Sequence, residues 1–170
     1  MRVSRFAMHQ MTIGPWVIEV DPEATRGLCE RITPWTDECG CDHCKDWAAN
    51  RDEIYPPPVR DLLASLGIDH RRETDVSDLT SDPECRGEFY FVGRILSGPR
   101  WTVTHRDFFG QVSRRPDETP ITHDFSLVVH DPDGGAGEPM GTDLDAGVPL
   151  VQIGFIATRH HHQTGPLTSS

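Results

Sequence analysis

Three cysteines fall within six residues, Cys39-Gly40-Cys41-Asp42-His43-Cys44. Thiols this close converge on one small volume, which core packing does not require. A metal ion does require it: Zn²⁺ takes ligands in a tetrahedron with sulfur at about 2.3 Å, and the thiolate is the binding form. A C-x-C-x2-C spacing delivers three thiolates from one turn if Gly40 permits a tight backbone and a helix opening near Asp42 carries Cys44. The positive end of that helix favours the thiolates. The expected cofactor is therefore zinc, held by Cys39, Cys41 and Cys44. The fourth ligand is open between His70, which lies 26 residues after Cys44, and Cys29, ten residues before Cys39. A remote His105 or His123, or a water molecule, is a further choice. A full set of protein ligands would make the site structural, whereas water in the fourth place would leave room for catalysis. His43 sits inside the knuckle and is expected to point elsewhere. The competing readings are a reduced, metal-free cluster and a reversible disulfide, Cys41 and Cys44 forming C-x-x-C without the βαβ context of a thioredoxin.

Other chemistry-bearing residues carry less. Asp131, Asp133, Glu138, Asp143 and Asp145 crowd one loop, and oxygen ligands of this kind can hold Ca²⁺. Ala136, however, stands where an EF-hand loop needs glycine, and Thr142 where it needs the bidentate glutamate. A solvated loop is expected there. His160-His161-His162 belongs to a polar tail. His105 near Asp107 and His123 beside Asp124 are pairs that chance supplies often. The chain has no G-x-S-x-G, P-loop, H-E-x-x-H or dinucleotide glycine fingerprint.

The elements that must position the knuckle follow from pattern. Residues 11–20 alternate as a strand with a Gly14-Pro15 interruption. Asp21 as N-cap and Pro22 at the first helical position open a short helix running to about Arg31, with Pro34 beyond it. The helical pattern from Asp42 to about Ile54 gathers Cys44, Trp47 and Ala48 on one face and breaks at Pro56-Pro57-Pro58. Val59, Leu62, Leu63 and Leu66 then form an amphipathic stripe closed by Gly67. Residues 69–87 read as a polar loop. Strands are expected over 88–96, 100–106 with an extension at 108–113, 121–130 and 150–158. They pair antiparallel, since no crossover helices separate them. The fold class is α+β: a single domain over 1–158, its knuckle and helices in 21–68 and its mainly β part in 88–158, followed by a flexible tail, 159–170. Two helices and the knuckle pack on an antiparallel sheet of four or five strands. Trp47, Leu62, Leu63, Leu66, Phe89, Phe91, Val128 and Ile153 are the expected core. Two short helices flanked by prolines need an anchor, and a bound metal supplies folding free energy directly.

The order of motifs resembles a known pattern. Cys39–Asp69 reads C-x-C-x2-C-x-(D/N)-aromatic, then Tyr55-Pro56, then an apolar helix ending Leu66-Gly67-Ile68-Asp69. Phe89-Tyr90-Phe91-Val92-Gly93-Arg94-Ile95 follows. This resembles a family of small uncharacterised bacterial proteins over about residues 12–156. The resemblance implies one α+β domain with a metal knuckle and no particular activity; the acidic loop and His-rich end depart from it. Locally, C-x-C-x2-C-x25-H with Cys44-Lys45-Asp46-Trp47 is similar to the zinc site of tRNA-guanine transglycosylases. That similarity implies ligand geometry, with His70 as the fourth ligand. It implies no activity, because the barrel and catalytic aspartates of those enzymes have no counterpart here.

Composition bounds the function. The 170 residues carry a net charge of −11 with an apolar fraction of 36%. Such charge repels phosphate backbones, so general nucleic-acid binding is not expected, and a basic protein partner is. Arg71-Arg72 and Arg114-Arg115 are too few to reverse this. No apolar run reaches membrane-spanning length, Met1–Arg5 leads into no signal-peptide core, and five cysteines with three clustered suit a reducing cytoplasm. The expected function is a small acidic zinc-binding protein acting as a non-enzymatic binding module of immunity or adaptor type. The alternatives are a metal-dependent enzyme using an open knuckle site and a thiol redox or metal-sensing protein.

Overall fold

The Gly14-Pro15 interruption is a hairpin turn. Gly14 has φ +53° and proline holds its own φ negative, the pairing of a type II′ turn, which matches strand twist. The first apolar run therefore folds in half into β1 (His9–Ile13) and β2 (Trp16–Val20), with Ile13 opposite Trp16. The structure is a computed structural model that describes residues 8–78, 84–99, 118–130 and 148–158. The strands expected at 100–106 and 108–113, His105, the acidic loop 131–147, the histidine run and the tail 159–170 lie outside those residues.

Asp21 opens α1 (Pro22–Cys29) as expected, its carboxylate accepting from the Ala24 amide at 2.9 Å. Four further helices follow: α2 (Trp35–Cys39), α3 (Asp42–Ala49), α4 (Arg51–Ile54) and α5 (Pro57–Ser65). The expected helix over 42–54 is thus two helices divided at Asn50, and α2 was not foreseen. After α5, Gly67 adopts φ +81°, with the Gly67 amide bonded to Ala64 O and the Ile68 amide to Leu63 O. That is a Schellman close, and it requires glycine. A Cβ at Gly67 would also collide with the Pro22 carbonyl, so the end of α5 and the start of α1 meet backbone to backbone.

The remaining strands are β3 (Asp75–Asp78), β4 (Glu84–Ser97), β5 (Thr119–Thr122), β6 (Phe125–His130) and β7 (Leu150–Thr158). Seven strands form one antiparallel sheet in the order β1-β2-β4-β7-β6-β5, with β3 also on β4. The α+β class is as expected, but the strand count exceeds four or five. Two runs fold in half at two-residue turns, and the polar loop 69–87 contributes β3. The 14-residue β4 organises the sheet. β7 covers one of its edges from Glu84 to Val92, while β3 and β2 share the other edge at its two ends. Between them α1 supplies the missing partners: Thr25 Oγ1 accepts from the Val92 amide at 3.0 Å and the Asp21 amide donates to Val92 O at 2.9 Å. The sheet curls until the Gly14 turn reaches Thr119 of β5.

Strand alternation divides the sheet into two faces. Phe89, Phe91, Phe125, Leu127, Val129, Val151, Ile153 and Phe155 point into the main core beneath α3, α4 and α5. Tyr55 is its hub, with ring centroids 5.5–6.1 Å from Trp47, Phe89, Phe125 and Phe155. Of the expected core residues, Val128 is a correction. It is half-buried on the opposite face, because β6 directs Phe125, Leu127 and Val129 inward. Leu62 is only partly buried. The second face carries Glu88, Tyr90, Gln152, Gly154 and His130, with Leu28 and Ile32 packed on Tyr90 and Val92 at one end. No helix among the described residues is long and apolar enough to cross a membrane.

Candidate metal centre

α2 sets the first ligand. Pro34 precedes it, the Trp35 amide donates to Glu73 O at 3.0 Å, and Cys39 is its last residue. Gly40 follows at φ +62° in the left-handed region, so the chain doubles back without a Cβ penalty. Cys41 is then the N-cap of α3, its sulfur facing the Cys44 amide at 3.4 Å. N-cap and N3 side chains share one side of a helix start, which brings Cys41 and Cys44 together. Cys39 is delivered to them by the reversal at Gly40.

The three ligand sulfurs lie within 4.8 Å of one another, and Cys39 Sγ is 3.2 Å from Cys41 Sγ. A tetrahedral ion with Zn–S near 2.3 Å sets its sulfurs about 3.8 Å apart. The cluster brackets that spacing and could hold a metal ion. Cys39 and Cys41 are exposed, while Cys44 is buried, so the cluster meets solvent through two of its three residues.

The electrostatics of the thiols differ. The Cys44 amide and the neighbouring thiols hold Cys41 below its ordinary value. Burial, then the adjacent thiols, push Cys44 up to about 12. Without a cation the cluster therefore keeps protons that three thiolate ligands would have to lose. A divalent ion supplies the positive charge that releases them.

Behind the sulfurs α3 is firmly seated. Trp47 is fully buried and stacks on Phe155 at 6.0 Å. His43, inside the knuckle, turns its ring toward Trp47 at 6.4 Å. A buried polar knot ties α2 and α4 to the chain entering β3. Arg51 reaches Glu73 Oε1 through Nε at 2.9 Å and Nη2 at 2.8 Å, and donates to Thr36 Oγ1 at 2.5 Å. Glu73 is fully buried, and burial raises its carboxyl pKa against the pull of Arg51. Nothing in the polar stretch 69–78 signals that this glutamate is internal. A pairing between distant residues decides it.

Among the described residues, the group of converging ligand atoms comprises Cys39, Cys41 and Cys44. His70 is not in it: its Nε2 lies 3.3 Å from Asp52 Oδ1 and its ring packs edge-on against Tyr55 at 5.8 Å. Nor is Cys29, a buried thiol whose sulfur faces Gly67 O at 3.9 Å. His123 is exposed in the β5–β6 turn, its Nδ1 3.3 Å from Asp124. The sequence thus located the thiols that meet, and the structure places His70 and Cys29 outside that group.

No family model, curated protein or solved structure matches the chain.

Proposed function

We propose that this chain is a small acidic zinc-binding protein and a non-enzymatic interaction module, its Cys39-Cys41-Cys44 cluster pinning α2 to α3. The observation that carries the metal is the convergence of three sulfurs within 4.8 Å at the start of a helix. Sulfur ligands favour zinc over the hard cations, and the spacing resembles the zinc site of tRNA-guanine transglycosylases. Water or a partner's side chain completes the tetrahedron on the exposed side, with His70 and Cys29 as the protein's own alternatives. The net charge of −11 supports a basic partner, met by electrostatic steering that weakens as salt rises. A reducing cytoplasm suits free thiolates.

Elemental analysis with thiol titration on tag-free protein, native and denatured, tests the metal. One zinc per chain with three protected thiols is expected; a metal-free protein with all thiols reactive would overturn it. Capture of a cationic protein that salt releases, from which metal-free protein is excluded, tests the partner.

A second reading has its own observation. The 3.2 Å contact between the exposed Cys39 and Cys41 sulfurs suits reversible oxidation to a disulfide by a mild peroxide or disulfide oxidant. A fall of two titratable thiols that zinc prevents would establish both chemistries at one site. A metal-dependent enzyme would use the solvent-facing coordination position. It would show metal-bound water and turnover that falls with Cys41→Ser.

A further inference from the structure

The second face of the sheet sets two carboxylates against each other beside a buried amide, with the Val76 amide donating to Asp75 and the Gln152 carboxamide to Glu88. Asp75 on β3 stands directly opposite Glu88 on β4, and both are half-buried. Like charges directly opposite on neighbouring strands repel. Among the described residues no cation answers them. Burial is the largest influence on each carboxyl and raises both pKa values, and Asp75 raises Glu88 further. Neither has an ion pair to any of the described residues. Arg86, two positions along β4, forms none with them.

The next strand adds to this. Gln152 on β7 lies opposite Tyr90, its carboxamide against Glu88. It is 1% exposed, and its oxygen has no hydrogen-bond donor among the described residues. A buried amide oxygen without a donor costs about 1–3 kcal/mol, which a folded chain rarely tolerates without a reason. Gly154, directly opposite Glu88, leaves a hollow beside it among the described residues: of these, a Cβ there would touch His130 Nε2 alone, at 3.5 Å. His130 on β6, opposite Gln152, is held by burial at a pKa of about 4. It is therefore neutral at pH 7 and supplies no counter-charge.

We propose that the hollow over Gly154, rimmed by Asp75, Glu88, Gln152 and Tyr90, is a binding site for a guanidinium group. The donors of that group are planar and forked, and two carboxylates and an amide oxygen accept them in pairs. The Tyr90 ring beside them suits a delocalised cation. A hard divalent ion fits less well, because Ca²⁺ takes six to eight oxygens and these residues offer two carboxylates and one amide. The sheet separates this hollow from the thiols, which sit on α2 and α3 over the other face, so the proposal is independent of the metal centre.

The test is an amide-resolved NMR titration of the purified chain with agmatine, with an N-acetylated Gly-Arg-Gly amide and with Ca²⁺. Agmatine or the peptide is expected to shift the amides of Asp75, Glu88 and Gln152–Gly154 with millimolar affinity. Tighter binding of agmatine points to a free small molecule, and of the peptide to an arginine on a protein. Glu88→Gln should weaken binding roughly tenfold, one charge-assisted pair being lost. Gly154→Ala, whose added Cβ meets His130 Nε2 at an ordinary 3.5 Å, should weaken it further while thermal stability is kept. Shifts from Ca²⁺ but neither guanidinium probe, no shifts at these amides, or undiminished binding by both variants would each overturn the proposal.

Discussion

Replacing Cys41 by serine separates the metal from the helix it caps. Cys41 is exposed, so the change opens no cavity. Its sulfur caps α3 by facing the Cys44 amide at 3.4 Å, and serine is the better N-cap, so metal-free stability should stay within about 1 kcal/mol of wild type. The metal-bound state behaves otherwise. An ion that binds only the folded chain stabilises it by about 2.7 kcal/mol at a free concentration of 100 times its Kd. For a chain of this size each kcal/mol moves Tm by about 2–4 °C, so zinc should raise the wild-type Tm by roughly 5–10 °C. Cys41→Ser leaves two sulfurs, one of them Cys44, whose proton is held up to about 12. The zinc-dependent rise should then disappear, and metal content should fall from one ion per chain to near zero. The assay is calorimetry of both proteins, each zinc-loaded and chelator-treated, with metal analysis. A variant that keeps both the metal and the shift would refute the claim that these sulfurs form the site. A variant destabilised equally with and without zinc would show that Cys41 matters only for packing.

Other expectations follow from the same geometry. His70→Ala and Cys29→Ala should each retain wild-type zinc, since neither joins the sulfur cluster; loss of metal in either would name the fourth ligand. Arg51→Met leaves the fully buried Glu73 unpaired and should cost about 3–5 kcal/mol in urea unfolding at pH 7. Glu73 is raised by burial, so its contribution is complete below its unfolded pKa and is lost as pH rises through the folded one. The Arg51→Met defect should accordingly shrink toward pH 5, and a pH-independent defect would refute this. His130 has the opposite sign: its pKa falls from 6.5 to about 4. It contributes on the order of 3 kcal/mol that is present above pH 6.5 and lost as pH falls toward 4. Stability measured across that window should decline more steeply in wild type than in His130→Leu. Gly67→Ala should cost more than about 1 kcal/mol, since it meets both a positive φ and the Pro22 carbonyl.

The local rules written in the chain were enough for much of the fold. Asp21-Pro22, Pro56-Pro57-Pro58 and Leu66-Gly67 act through their own backbones and neighbours within a few residues, so α1, α5 and the Schellman close appear where their sequences put them. The strand expected at 150–158 is β7 residue for residue, because a long run of strand-forming residues needs little distant information. The thiols belong to the same class, since Cys39, Cys41 and Cys44 are joined by a tight turn and a helix cap. What tertiary structure decided were contacts between residues far apart in the chain. Whether Gly14-Pro15 and His123-Asp124 mark bends or hairpins depended on strand pairing. The polar segment at 75–78 became a strand because β4 had an edge to fill. Glu73 became internal with Arg51 as its partner, His70 came to lie beside Asp52, and Asp75 came to face Glu88. Side-chain period and capping act over one turn of chain, whereas a charge finds its partner, or lacks one, only when the sheet has closed around it.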